Sequence, residues 1–96
     1  HIYIPNGVTT INGWAFRGCE SLTQIELPNS ITDIGDLAFA DCPSLTQVSI
    51  HATTPPSIVN TFDINTLEVI YVPIGCGELY KTKWPAYANK IQEYNF

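Results

Sequence analysis

The sequence predicts an α/β repeat solenoid: a short stack of units, each giving one strand to a parallel sheet, closed by a C-terminal cap. Three observations carry this expectation. The chain matches itself at an offset of 23 residues, one stretch of each unit alternates apolar and polar side chains, and after Pro73 the repeat gives way to a segment of bulky apolar groups.

The self-match is the strongest signal, since a fixed period of this length marks repeat architectures. Residues 4–26 read IPNGVTTINGWAFRGCESLTQIE and residues 27–49 read LPNSITDIGDLAFADCPSLTQVS. Eleven of the 23 positions are identical, among them Pro5/Pro28, Ile11/Ile34, Phe16/Phe39, Cys19/Cys42 and Leu22/Leu45. Four more are apolar in both, such as Val8/Ile31 and Ile25/Val48. Phe62 stands 23 residues after Phe39, one residue is then lost, and Leu67, Ile70, Val72 and Pro73 follow at a 22-residue step. The divisions expected are repeats over 1–73, made of a partial unit 1–3, units 4–26 and 27–49 and a degenerate unit 50–73, with the cap over 74–96.

A unit of 23 residues is too short for two helices and suits one strand with a return arm. Leu22-Thr-Gln-Ile25-Glu-Leu27-Pro28 alternates as a half-buried strand does. Pro28 ends it, because proline has no N–H for the ladder. Asn29-Ser30 and Asn6-Gly7 supply turn chemistry. The arm Ile34-Gly-Asp-Leu37-Ala38-Phe39 lacks alternation and predicts a short helical turn with Phe39 inward. Stacking places like residues over one another about 4.8 Å apart, as neighbouring strands are. The buried columns expected are Ile2, Ile25, Val48 and Ile70; Ile4, Leu27, Ile50 and Val72; Leu22 and Leu45; and Phe16, Phe39 and Phe62. Glu78 to Lys83 fits a short helix, with Trp84, Tyr87 and Ile91 covering the last unit. The opening His1-Ile2-Tyr3-Ile4-Pro5 has no Met and leaves Ile2 and Ile4 on an open edge, which suggests a piece of a longer chain. Such an edge is also where another chain can stack end to end.

Composition narrows the function. The net charge is −5, with nine acids against four Lys and Arg. Nucleic-acid binding needs clustered cations to displace phosphate counterions, and an anionic membrane needs the same, so neither partner is expected. No apolar run is long enough to insert in a membrane.

The pattern LPNSITDIGDLAFADCPSLTQV resembles the BspA-like leucine-rich repeat, through Leu27, Pro28, Ile31, Ile34, Gly35, Ala38, Phe39, Cys42, Leu45 and Val48. In the first unit Asn12 replaces the Gly. The stretch HATTPPSI and the segment YVPIGCGELYKTKWPAYANKI look like the closing part of that family. The resemblance implies a curved leucine-rich-repeat solenoid and export, typically to the surface of bacteria such as Bacteroides and its relatives. It also implies adhesion to host matrix proteins or other cells, without a fixed ligand motif.

Residue chemistry offers no competing site. Cys19 and Cys42 share a repeat position and read as small buried core residues, with an interlayer disulfide as the alternative. Cys76, between two glycines, has no placed base, and His51 lies at a strand end; a catalytic thiol needs such a base beside it. The cysteines are spaced too widely for a zinc site, and Asp33, Asp36 and Asp41 suit solvated turns better than a calcium loop. No nucleophile elbow, phosphate loop or dinucleotide fingerprint occurs. The reading is therefore non-enzymatic, with no cofactor and no metal.

The remaining candidate is the strand face opposite the buried columns. Alternation sets Tyr3, Glu26, Ser49 and Tyr71 in one outward row, and His1, Gln24, Gln47 and Val69 in the next. The binding residues expected are Tyr3, Gln24, Glu26, Gln47, Ser49, Val69 and Tyr71, since repeat stacks commonly bind through their concave face and Tyr is enriched at interface hot spots. Tyr is also a good strand former, which is the plainer account of it. The expected partner is a protein or glycan on a host or microbial surface. A structural spacer and cap of a larger surface protein is the alternative, and a carrier for an upstream enzyme a third.

Overall fold

The computed structural model describes residues 2–58, 61–62 and 66–96. The elements in chain order are β1 (Ile2–Tyr3), β2 (Thr10–Ile11), β3 (Gln24–Leu27), β4 (Asp33–Ile34), β5 (Gln47–Ile50), β6 (Ser57–Ile58), β7 (Val69–Pro73), α1 (Gly77–Lys83), a 3-10 helix (Pro85–Lys90) and β8 (Ile91–Tyr94). They form a five-stranded sheet in the order β1-β3-β5-β7-β8 and a three-stranded sheet in the order β2-β4-β6. Every pairing is parallel, as units running the same way require.

The register follows the repeat. Ile2 pairs with Ile25, Ile25 with Val48, and Val48 with Ile70. The 22-residue step into the third unit is thus the true pairing step. Leu27 lies beside Ile50, and both are fully buried, as is Val72. The column continues one strand further than expected, because β8 pairs Ile91 with Ile70.

After β1, β3 and β7 the chain turns the corner in the same way. The N–H groups of Val8, Ile31 and Cys76 donate to the carbonyls of Pro5, Pro28 and Pro73. Gly7 and Gly75 occupy the same place in that turn, at φ 98° and 88°, where a side chain would be strained. Ser30 takes this position in the second unit and ties two layers together. Its hydroxyl accepts from the Gly7 N–H at 2.9 Å and donates to the Val8 carbonyl at 2.8 Å.

The return arm differs from its expectation. It begins as a two-residue strand in each unit, with Ile11 beside Ile34 and Ile34 beside Ile58, and in units 4–26 and 27–49 continues as hydrogen-bonded turns rather than a helical turn. The physical reason is interlayer bonding. Trp14, Phe16 and Gly18 donate their N–H groups to the carbonyls of Asp36, Ala38 and Ala40 one unit on, and Phe39 donates to Thr61. A helix would spend those groups within the arm. The turns require left-handed residues at equivalent places: Trp14 and Leu37 at φ 70° and 57°, Gly18 and Asp41 at 78° and 55°. They also bring backbones very close, since a Cβ on Gly35 would lie 2.2 Å from the Gly13 nitrogen.

The core fills the space between the two sheets. Phe39 is fully buried and stacks on Phe16 at 5.1 Å and on Phe62 at 5.3 Å between ring centroids. Residues 74–96 pack against the third unit. Tyr80, Trp84 and Tyr87 are buried there, and their polar atoms meet backbone that the unit leaves unpaired by strand bonding. The Tyr80 hydroxyl donates to Ala52 O at 2.6 Å, Trp84 Nε1 donates to Pro56 O at 3.1 Å, and the Tyr87 hydroxyl both donates to Phe62 O and accepts from Phe62 N. Buried polar groups cost stability unless paired, so these aromatics serve both packing and hydrogen bonding. In α1, Glu78 in the first turn and Lys81 and Lys83 in the last complement the helix dipole.

Candidate functional site

The outward rows of the five-stranded sheet are built by the same alternation that buries the columns. Ile25, Leu27, Val48, Ile50, Ile70 and Val72 point inward and are buried, so the residues between them project from the opposite face. Tyr3, Glu26, Ser49 and Tyr71 are laterally aligned, and β8 adds Gln92 beside Tyr71. Gln24, Gln47 and Val69 form the neighbouring row; His1, expected to continue it, lies outside the described residues.

Their environments are unequal. Tyr3 is 64% exposed. Gln24, Glu26, Gln47, Val69 and Tyr71 are half-buried. Ser49 is only 6% exposed, so its small side chain forms the floor between its larger neighbours and is not a protruding contact.

Three residues outside the expected set complete this face. His51 Nε2 lies 3.0 Å from Glu26 Oε1, and its ring stands 4.1 Å from that of Phe96 and 6.5 Å from that of Tyr3. Tyr94 lies 4.9 Å from Tyr71 and 5.3 Å from Phe96 between ring centroids. Together these groups enclose a hollow of about 230 Å³ lined by Glu26, Gln47, Ser49, Tyr71, Tyr94 and Phe96. The sequence held one signal for His51: it occupies the position of Pro5, Pro28 and Pro73 in the other units. With a backbone N–H that proline lacks, it extends the ladder by donating to Leu27 O at 3.0 Å. Tyr94 and Phe96 come from beyond the repeat and no period points to them.

Among the described residues no hydroxyl or thiol hydrogen-bonds to the His51 ring. Among the described residues no group of three or more His, Cys, Asp or Glu side chains stands together to hold a metal ion. Cys19, Cys42 and Cys76 are free thiols, so the interlayer disulfide is not formed. Cys42 is a core residue whose Sγ donates to Phe16 O at 3.1 Å, and burial pushes its thiol above the ordinary value. Cys76 is half-buried and precedes α1.

A second hollow, of about 410 Å³, opens at the β1 edge, where Ile2, Cys19 and Leu22 line it. Ile2 and Ile4 are half-buried there and pack against the core. On the arm side, Arg17 lies over the Trp14 ring at 4.3 Å and pairs with Asp41 at 3.2 Å, all exposed. Among the described residues no helix is long and apolar enough to cross a membrane.

Comparison with curated proteins finds no match to the chain. The family model described as the BspA type leucine rich repeat region (6 copies) matches residues 1–96, in keeping with a parallel sheet of one strand per repeat, and the chain belongs to that family.

Proposed function

We propose that the chain is a non-enzymatic adhesion module of a secreted or cell-surface protein, binding a protein or glycan through the outer face of its five-stranded sheet. Repeats of this family are in general non-enzymatic interaction modules and are typically surface-associated. In this reading the units form a curved solenoid, the outer rows are its concave surface, and residues 74–96 are its cap. The observation that carries the reading is the aromatic and carboxylate hollow on that face, together with Tyr3, whose exposed ring extends the face toward β1. Interface hot spots favour such clusters of Tyr in partly desolvated pockets.

The test is solution binding at physiological salt to matrix proteins, bacterial surface proteins and glycans. A Tyr3→Ala/Glu26→Lys/Tyr71→Ala variant, shown folded by circular dichroism, runs beside the parent chain. Saturable binding that the variant loses supports adhesion through this face. Binding that the variant retains places the site elsewhere, and the absence of any binding favours the spacer role.

A further inference from the structure

We propose that the groove between β6 and the closing helices binds a short extended peptide of a partner protein, one that carries a carboxylate between apolar side chains. The site belongs to the three-stranded sheet, across the core from the strand face, and is independent of the adhesion reading above.

The edge of β6 sets the backbone part of the site. β6 is the last strand of its sheet. Ser57 donates its N–H to Thr32 O at 2.9 Å, so Ser57 turns its backbone polar groups toward β4. Successive residues of a strand bond alternately to one side and the other, hence Pro56 and Ile58 turn theirs to the open side. The cap already takes the first of these positions, because Trp84 Nε1 donates to Pro56 O at 3.1 Å. The N–H and C=O of Ile58 come next along the edge, and among the described residues they take no partner. One residue of an extended peptide, paired antiparallel, exchanges both bonds with such a pair. Pro55 and Pro56 blunt the rest of the edge, as prolines do, so it accepts a short segment and not a full strand.

Side-chain space adjoins this edge. Two hollows, of about 450 and 200 Å³, share Ile58, Lys83 and Trp84 and so form one groove. Pro55 and Ile58 line it from the strand side, Pro85 and Ala86 from the cap. Apolar side chains of a peptide bury surface against these walls.

Charge complementarity selects the occupant. The chain carries nine acids, yet none lines either hollow, and Lys83 lines both. Lys83 is exposed, and among the described residues it is in no ion pair. A cationic peptide would meet Lys83 with no acid in the lining to offset it. An apolar peptide gains only the walls, whereas a carboxylate adds an ion pair. The net charge of −5 repels a run of acids at longer range, so a single carboxylate flanked by apolar groups fits best.

The experiment titrates three peptides, acetylated and amidated at their ends, into the 96-residue chain: TVEVT, and the same peptide with glutamine (TVQVT) or lysine (TVKVT) at its centre. Binding is followed by chemical-shift changes of the protein. TVEVT should give saturable shifts at Ile58, Lys83 and Ala86, with the Ile58 amide proton moving downfield as its new hydrogen bond forms. TVQVT should bind about three- to fivefold more weakly, the scale of an ion pair near the surface, and TVKVT more weakly still. Lys83→Gln should lower TVEVT to the affinity of TVQVT and leave TVQVT unchanged, the signature of a direct coupling, while Lys83→Arg should preserve TVEVT. Lys81→Gln, at a lysine outside the groove, should also preserve it. Equal affinity for TVEVT and TVQVT would overturn the proposal, as would equal weakening by Lys81→Gln and Lys83→Gln, which would mean diffuse charge attraction. Shifts confined to Tyr71, Tyr94 and Phe96 would put the peptide on the strand face instead and would overturn it too, and so would the absence of any saturable shift with TVEVT.

Discussion

Replacing Phe39 by Ala tests the stacking of the units most directly. The ring is fully buried and is sandwiched between Phe16, nearly parallel to it at 2°, and Phe62 at 15°. Truncating a buried Phe costs about 3–5 kcal/mol in lost burial and residual cavity. Each aromatic pair adds about 0.5–1.5 kcal/mol beyond area burial, and Phe39 belongs to two pairs. The site has little freedom to collapse, because neighbouring arms are held by backbone hydrogen bonds from Phe16 to Ala38 and from Phe39 to Thr61. The expected loss is therefore at the upper end, about 5 kcal/mol. A chain of this length has a total stability of roughly 5–14 kcal/mol, so the variant should retain at most about two-thirds of it. Urea unfolding, followed by circular dichroism and tryptophan fluorescence, would show the midpoint falling by about 2 M or more, given slopes of about 1–3 kcal/mol per molar. Phe39→Leu should recover most of the loss, since it refills the volume. Phe16→Ala, at a half-buried ring, should cost less than Phe39→Ala. A Phe39→Ala midpoint within about 0.3 M of the parent, less than 1 kcal/mol on those slopes, would refute a core built on a continuous Phe ladder.

Four further outcomes follow from the same geometry. Gly35→Ala should destabilise by about 3 kcal/mol or abolish folding, because overpacking against fixed backbone cannot be relieved by rotamer changes; thermal unfolding checks it, and an unchanged melting temperature would contradict the close arm-to-arm approach. Tyr87→Phe keeps the ring but removes the hydroxyl that serves Phe62 N and O, so a loss of about 1–3 kcal/mol is expected in urea unfolding. Ser30→Ala should cost about 1 kcal/mol through the lost tie between layers, measurable by the same method. Burial raises the Tyr80 phenol far above its ordinary value of 10.0 and the Cys42 thiol above 9.0. Both groups lose their protons first in the unfolded state, so their stabilisation is complete below pH 9 and declines as pH rises above the ordinary values. The urea midpoint should be flat from pH 6 to 8 and fall from about pH 9 upward, and Tyr80→Phe should flatten the part of the fall above pH 10.

The stack was legible because repetition multiplies each weak signal. Ile25 alone says little, but Ile2, Ile25, Val48 and Ile70 at matching positions specify a parallel register, and the missing residue before Leu67 could be located from the spacing. The second sheet was not legible. Its strands are two residues long, too short for alternation to show, and the bonds that define the arm run between Trp14, Phe16 and Gly18 and residues 22 positions away. The helical expectation failed there because Leu37, Ala38 and Phe39 have fair helical propensity in isolation while the interlayer bonds decide the outcome. β8 was missed for a related reason. Ile91-Gln-Glu-Tyr94 follows the closing helices, and its pairing with β7 is set by how α1 and the 3-10 helix return the chain to the sheet edge.

The same distinction explains why half of the candidate site could be read and half could not. Glu26, Gln47, Ser49 and Tyr71 are properties of the repeat, since any residue between two buried positions of a strand must face outward. A repeat alone, however, makes a flat row. The hollow exists because two departures from the repeat meet it from opposite directions. His51 replaces the proline of the other units and anchors Glu26, and the chain end carries Tyr94 and Phe96 over Tyr71 and His51. A spacer built only for length would need neither departure. A proline at position 51 would end the strand as well as Pro28 does, and a closing segment could stop after Ile91 had completed the buried column. Removing the two departures separately therefore divides scaffold from function. His51→Ala, which keeps the backbone N–H that bonds Leu27 O, and deletion of residues 95–96 should each leave the unfolding free energy within about 1 kcal/mol of the parent, as changes at exposed or partly exposed positions usually do, while weakening any ligand held on the strand face. Loss of the fold in either variant would assign those residues to stability and remove the reason for treating the hollow as a site.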